Sequence, residues 1–229
     1  MHIPRPHNIY RGGRNLLNLH LFEEDWQSAI CEVDCHPHET RVWSSLPGFF
    51  DGQHESHVLP IHIACSLHAP LDVVRTIVEE YPGCLGVKES SFQRLPLHVA
   101  CQFSASVNVI DYLAREYAAG TSEPDVLGRL PIHYACSNGA SLEVIQALLR
   151  ANPSSTVGPD INGWLPLHVA IHFGASTETI RELVRVCPET VRMETKKRST
   201  ALMLAEHVST TNKEEVIRIL NWATDDVGK

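Results

Sequence analysis

The chain has 229 residues, 43% of them hydrophobic, which is enough for a continuous packed core. Its 19 Lys and Arg stand against 27 Asp and Glu, a net charge of −8, so no overall positive field would draw in phosphate backbones or anionic lipid. Neither a nucleic-acid nor a membrane partner is expected: no stretch approaches the roughly 18 uninterrupted apolar residues of a membrane span.

Residues 1–13 read as an N-terminal extension without the apolar core of an export signal. The seven cysteines are an odd number and sit mostly inside apolar helical patterns. They do not form a disulfide framework, so a reducing compartment, cytoplasmic with the nucleus as the alternative, is the expectation.

Residues 14–45 come next and read as a helix pair, Leu16–Phe22 and Trp26–Cys35. Cys31, Cys35, His36 and His38 (CEVDCHPH) form the one cluster with ligand-like density. Its spacing fits no standard zinc pattern, and both cysteines fall on a helix that needs an apolar stripe for packing, so no metal is expected there. Residues 44–56 (SSLPGFFDGQHES) then read as an inserted loop of about ten extra residues. Phe49 and Phe50 within it are a second candidate contact. Strand signals are weak throughout.

From there a four-residue phrase recurs: Leu59-Pro60-Ile61-His62, Leu95-Pro96-Leu97-His98, Leu130-Pro131-Ile132-His133 and Leu165-Pro166-Leu167-His168, its prolines 36, 35 and 35 residues apart. Each phrase leads to an alanine (Ala64, Ala100, Ala135, Ala170) and then to Cys65, Cys101 and Cys136, with Ile171 breaking the series. A fixed period of this size is the signature of stacked supersecondary units, here 57–92, 93–127, 128–162 and 163–197. Proline suits the first helical position, where its missing N–H costs nothing. A second apolar stripe follows in each unit (Val74, Ile77, Val78; Ile110, Leu113; Ile145, Leu148, Leu149; Ile180, Leu183, Val184), spaced by three and four as on one helix face. Pro82, Pro153 and Pro188 stop that helix, with Ala118 in the corresponding slot of unit 93–127. Turn chemistry at Asp125-Val126-Leu127-Gly128 and Asp160-Ile161-Asn162-Gly163 precedes the next phrase. Residues 198–223 are an imperfect last unit, with Thr200 in the capping slot and Val216, Ile217 and Leu220 on its second helix. Residues 224–229 are a tail.

The Leu-Pro-(Ile/Leu)-His-x-Ala phrase, four times in register, resembles the Thr-Pro-Leu-His-x-Ala phrase of the ankyrin repeat family. The resemblance covers residues 14–223 and implies an all-α solenoid of six helix-turn-helix repeats with hairpin-like fingers. Two departures stand out. Leu replaces the family's capping Thr in the four full repeats, so the acceptor for the orphan N–H groups must come from elsewhere, with the histidine three positions on as the candidate. The period is 35 and not the family's usual 33, and Pro replaces Gly at the second helix's exit.

By resemblance, His62, His98, His133 and His168 hydrogen-bond within and between repeats. One histidine per stacked unit also spreads them along the molecule, whereas a zinc site needs its ligands to converge. Cys65, Cys101 and Cys136 occupy a small buried slot where units press together. The basic run Arg192, Lys196, Lys197 and Arg198 reads as a solvated finger. No nucleophile elbow, phosphate-cradling loop or HExxH is present, so an enzyme is not expected, nor a cofactor.

The family's partners usually dock on the concave surface of finger tips and first helices. Carried across, the partner-binding residues are Phe92, Arg94, Phe103, Leu127, Arg129, Trp164, His172 and Phe173. Apolar residues on solvated fingers, such as Phe92, Leu127, Ile161 and Trp164, either pack on the neighbouring finger or form an apolar strip with arginines beside it. The expectation is a monomeric scaffold for another protein. The alternatives are a regulatory metal-binding or substrate-presenting subunit, built on the Cys31 cluster or the insertion, and a self-assembling structural module.

Overall fold

Each Leu-Pro-x-His phrase starts a short helix, and each helix meets the next through one turn of left-handed backbone. The computed structural model describes residues 15–210 and 212–226; the N-terminal extension read over 1–13 and the end of the tail lie outside them. Among the described residues twelve α-helices pair in order: α1 (Leu16–Phe22) with α2 (Trp26–Cys35), α3 (Pro60–Ser66) with α4 (Leu71–Glu80), and α5 (Pro96–Gln102) with α6 (Val107–Glu116) make the first compact unit. The second unit begins at Thr121 and contains α7 (Pro131–Ser137) with α8 (Leu142–Ala151), α9 (Pro166–His172) with α10 (Thr177–Val186), and α11 (Ala201–His207) with α12 (Lys213–Asp226). Within each unit first helices stack on first helices and second on second: α1 on α3 on α5, and α8 on α10 on α12. That is the fold class the repeat implied, an all-α helical repeat solenoid.

The first helices carry the phrase because nearly their whole length is buried. In α3, α5, α7 and α9 the apolar, alanine and histidine positions are buried from the N1 proline onward. Burying six or seven residues of a seven-residue helix demands small side chains at the tightest contact, and Ala64, Ala100, Ala135 and Ala170 are each 0% exposed. The second helices are amphipathic, with Val74 and Ile77, Ile110 and Leu113, Ile145 and Leu148, and Ile180 and Leu183 facing inward.

The connection between the two helices is a Schellman turn. His68 (φ 59°), Ser104 (φ 58°), Gly139 (φ 64°) and Gly174 (φ 71°) take the left-handed slot, and the next N–H reaches back to a helix carbonyl, as Ala69 does to Ala64 at 3.1 Å and Ala175 to Ala170 at 2.9 Å. Glu24 (φ 57°), with Asp25 N–H to His20 O at 2.9 Å, does the same between α1 and α2, which places that pair in the same geometry without the phrase. After the second helix, Pro37, Pro82, Pro153 and Pro188 each open a short 3-10 turn, and Ala118 opens the corresponding one. In the last pair the buried face is Val216, Ile219, Leu220 and Ala223, with Ile217 half-buried, and α12 continues into the stretch read as a tail.

The segment read as an inserted loop is a β-hairpin, a correction to that reading. β1 (Ser44–Pro47) pairs antiparallel with β2 (Glu55–Val58), Ser44 opposite Val58 and Pro47 opposite Glu55. Its connecting loop needs Gly48 (φ 68°), where a Cβ would stand 3.0 Å from the Gly52 backbone. Asp51 Oδ1 accepts from the Gln53 and His54 backbone N–H groups at 2.8 and 2.9 Å and holds the tip. Phe49 and Phe50, read as a contact surface, are only 5% and 4% exposed and belong to the core of the first unit.

Candidate protein-binding surface

The fingers between repeats are built on one polar side chain each. Asp125 Oδ1 accepts from the Leu127 and Arg129 N–H groups at 2.8 and 2.9 Å, and Asp160 Oδ1 from Asn162 and Trp164 at the same two distances. Glu89 does this work in the first unit, its carboxylate taking Ser91, Phe92 and Arg94 N–H at 2.6 to 3.1 Å. Thr195 Oγ1 takes Ser199 N–H at 3.2 Å. These four anchors lie 36, 35 and 35 residues apart. Glu89 and Thr195 were missed from the sequence because they differ in type from aspartate, although their spacing matches the phrase.

Adjacent fingers are tied backbone to backbone. In the second unit Ile161 N–H donates to Leu127 O at 2.9 Å and Lys196 N–H to Asn162 O at 3.0 Å; in the first, Ser90 N–H donates to His57 O at 3.2 Å. Within the second unit the three tips therefore stand in a row, with Val126, Ile161 and Lys196 exposed.

The histidines cap what leucine cannot. A leucine side chain offers no acceptor, and the Leu59, Leu95, Leu130 and Leu165 N–H groups instead donate to Nδ1 of His62, His98, His133 and His168 at 3.0 to 3.2 Å. With Nδ1 accepting, Nε2 carries the proton and donates: His62 to Val87 O, His133 to Trp164 O and His168 to Met193 O, at 3.2, 3.1 and 3.1 Å. Each of these bonds ties a first helix to the chain 25 or 31 residues further on. Burial disfavours the imidazolium, pushing His62 down to about 4 and lowering His133 and His168 as well. Cys65, Cys101 and Cys136 are at most 1% exposed, and burial raises the Cys65 thiol and moves Cys136 up to about 12.

The residues carried over as partner-binding divide into two clusters. In the first unit the hairpin covers them. Phe50 lies edge-on to Phe92 at 6.2 Å and tilted against Phe103 at 6.3 Å, and the Arg94 guanidinium stacks 4.3 Å from the Phe92 ring centre and 5.3 Å from that of Phe50. Arg94 Nη1 donates to Gln102 Oε1 at 2.7 Å, and the residue is 6% exposed. Its placement on an exposed surface is thereby corrected: the hairpin that sequence patterning treated as a loop packs over it. Phe92 and Phe103 remain half-buried.

Among the described residues the second unit has no hairpin of this kind. Trp164 packs edge-on to His172 at 5.1 Å, and His172 edge-on to Phe173 at 5.0 Å. Trp164 is half-buried, His172 exposed and Phe173 54% exposed, forming an aromatic ledge. Above it the finger tips Val126 and Ile161 are each 49% exposed, and Leu127 is half-buried. Arg129, also half-buried, stacks 5.7 Å from the Tyr134 ring centre with Nε 3.8 Å from Asp160 Oδ2, and Tyr134 donates its hydroxyl to Asp125.

Cys31 and Cys35 are exposed, which corrects the expectation that they fill an apolar stripe; α2 packs through Ala29 and Val33 instead. His36 pairs with Glu32 at 2.8 Å. Among the described residues no group of three or more His, Cys, Asp and Glu is arranged to hold a metal ion, and no helix is long and apolar enough to cross a membrane.

Comparison with known proteins agrees with the geometry. The family model described as Ankyrin repeats (3 copies) matches residues 61–157 and 132–225, together well over half of the chain. A comparison with curated proteins found no match. Repeats of this kind are in general protein–protein interaction modules, for which helix stacking supplies the frame and the exposed tips and ledges supply the contacts. Capped phrase, Schellman turn, anchored finger and family match converge: the chain belongs to the ankyrin repeat family.

Proposed function

We propose that the chain is a binding scaffold, without catalytic activity of its own, for a partner protein that docks on the concave, finger-bearing side of its repeats. The observation that carries this reading is the Trp164, His172 and Phe173 ledge with Val126 and Ile161 beside it. Fingers are held rigid by buried acids and inter-finger bonds, so tip side chains can remain exposed and apolar without collapsing onto one another. Large aromatic side chains fixed in this way make good contact anchors, because little rotamer freedom is left to lose on binding. In the first unit Phe92 and Phe103 contribute only their exposed edges.

The test is affinity capture from native lysate with wild type and a Trp164→Ala/Phe173→Ala variant. The variant is expected to lose the captured partner while its melting curve stays near that of wild type. Retained capture would remove the ledge from the binding surface, and an unfolded variant would assign Trp164 to the core, in which case Phe173→Ala alone, at an exposed position, decides.

A further inference from the structure

The position of the basic run at the last finger gives its two lysine side chains a use. Fingers 125–129 and 160–164 present apolar tips, Val126 and Ile161, while the third tip in the same row is Lys196, followed by Lys197. Both lysines are exposed, and among the described residues no ion pair holds either of them. Arg198 is paired with Glu194 at 2.8 Å, and Arg192 donates to Thr224 O, so these two cations are engaged within the unit. The stretch 192–199 still carries four cations against one carboxylate in a chain whose net charge is −8. The carboxylates of the neighbouring fingers do not compensate, because Asp125 and Asp160 are buried at 7% and 6% exposure and spend Oδ1 on backbone N–H groups.

We propose that this side of the second unit takes an extended acidic peptide segment of the partner, with an apolar side chain on the Trp164–His172–Phe173 ledge and carboxylates against Lys196 and Lys197. The inference rests on the scaffold reading above and specifies its ligand. A positive rim beside a fixed apolar ledge selects for opposite charge and for one large apolar residue, and rim charges act mainly on encounter rate and partner choice. Nucleic acid is a poorer fit, since two lysines flanked by apolar tips do not make a track for a phosphate backbone.

The test pans a displayed random-peptide library against the full chain and against a Lys196→Glu/Lys197→Glu variant. Wild type is expected to enrich peptides of net negative charge that contain an aromatic or large aliphatic residue. A synthetic peptide of the enriched set should bind the lysine variant about ten-fold more weakly and lose affinity as salt is raised. The same peptide should be weakened about ten-fold by Phe173→Ala. Enrichment of neutral or basic sequences, or an affinity indifferent to the lysine exchange, overturns the acidic partner. If binding then still depends on Phe173, the scaffold reading stands without it. If no sequence is enriched, or the enriched peptides ignore both variants, both readings fall. An oligonucleotide that binds the chain with the same lysine dependence, where no peptide does, would reassign the basic rim to nucleic acid.

Discussion

Two glycines with similar backbone angles carry different loads. Gly139 (φ 64°) ends α7 in the left-handed slot, and a Cβ there would meet nothing within 4 Å. Its counterparts His68 and Ser104 carry side chains in the same conformation, so the slot tolerates them. Gly163 (φ 77°) sits in a finger, where a Cβ would come 2.8 Å from the Lys196 backbone nitrogen, the atom that bonds Asn162 O. Left-handed backbone costs a non-glycine residue about 1–2 kcal/mol. Gly139→Ala should therefore lose about 1 kcal/mol in urea denaturation, and Gly163→Ala clearly more, because it must also push the next finger away. Equal losses would mean that the finger contact bears no load.

The repeat was legible because the same packing problem is solved in each unit, and each solution leaves the same residues. Proline at the first helical position, histidine two positions later and alanine at the tightest contact recur because the first helix is buried along nearly its whole length. The hairpin was not legible. Its strands are four residues each, one contains Pro47, and what holds it is Phe50 against Phe92 and Phe103, side chains some 42 and 53 positions away. A local pattern has no access to such contacts. The same cause misplaced Arg94: it occupies the finger position of Arg129, yet only Arg94 lies under the hairpin. If the hairpin is an integral part of the first unit, Phe50→Ala should cost about 3–5 kcal/mol, as truncation of a buried phenylalanine does. It should also expose the Arg94 guanidinium. A loss under about 1 kcal/mol in urea denaturation would make the hairpin an appendage.

For the molecule as a whole, the buried capping histidines make stability depend on pH on the acid side of neutrality. His62, His133 and His168 must be neutral in the folded chain, because Nδ1 accepts from a leucine N–H and a second proton would abolish that bond. Their folded pKa values are lowered, His62 to about 4, from an unfolded value near 6.5. Between those limits the unfolded chain binds more protons than the folded one, so this contribution is fully present above about pH 6.5 and is lost as pH falls toward the folded values. Each such group changes stability by at most about 1.4 kcal/mol per pH unit in the window. Two effects compete. Net charge moves toward zero as pH drops to the isoelectric point near 5.9, which relieves self-repulsion, but exposed charges are screened at physiological salt and contribute less than three buried groups. Carboxylates with lowered pKa values, such as Asp51 and Glu182, give up their share only below their ordinary range near 4. From about pH 7 to about pH 5 the chain should thus lose about 2–4 kcal/mol, read as a falling urea midpoint. His133→Ala should lower the midpoint at neutral pH by stripping a cap, and yet flatten its dependence on pH, since one of the titrating groups is gone. A variant with the wild-type slope would show that the imidazoles are not the source of the acid sensitivity.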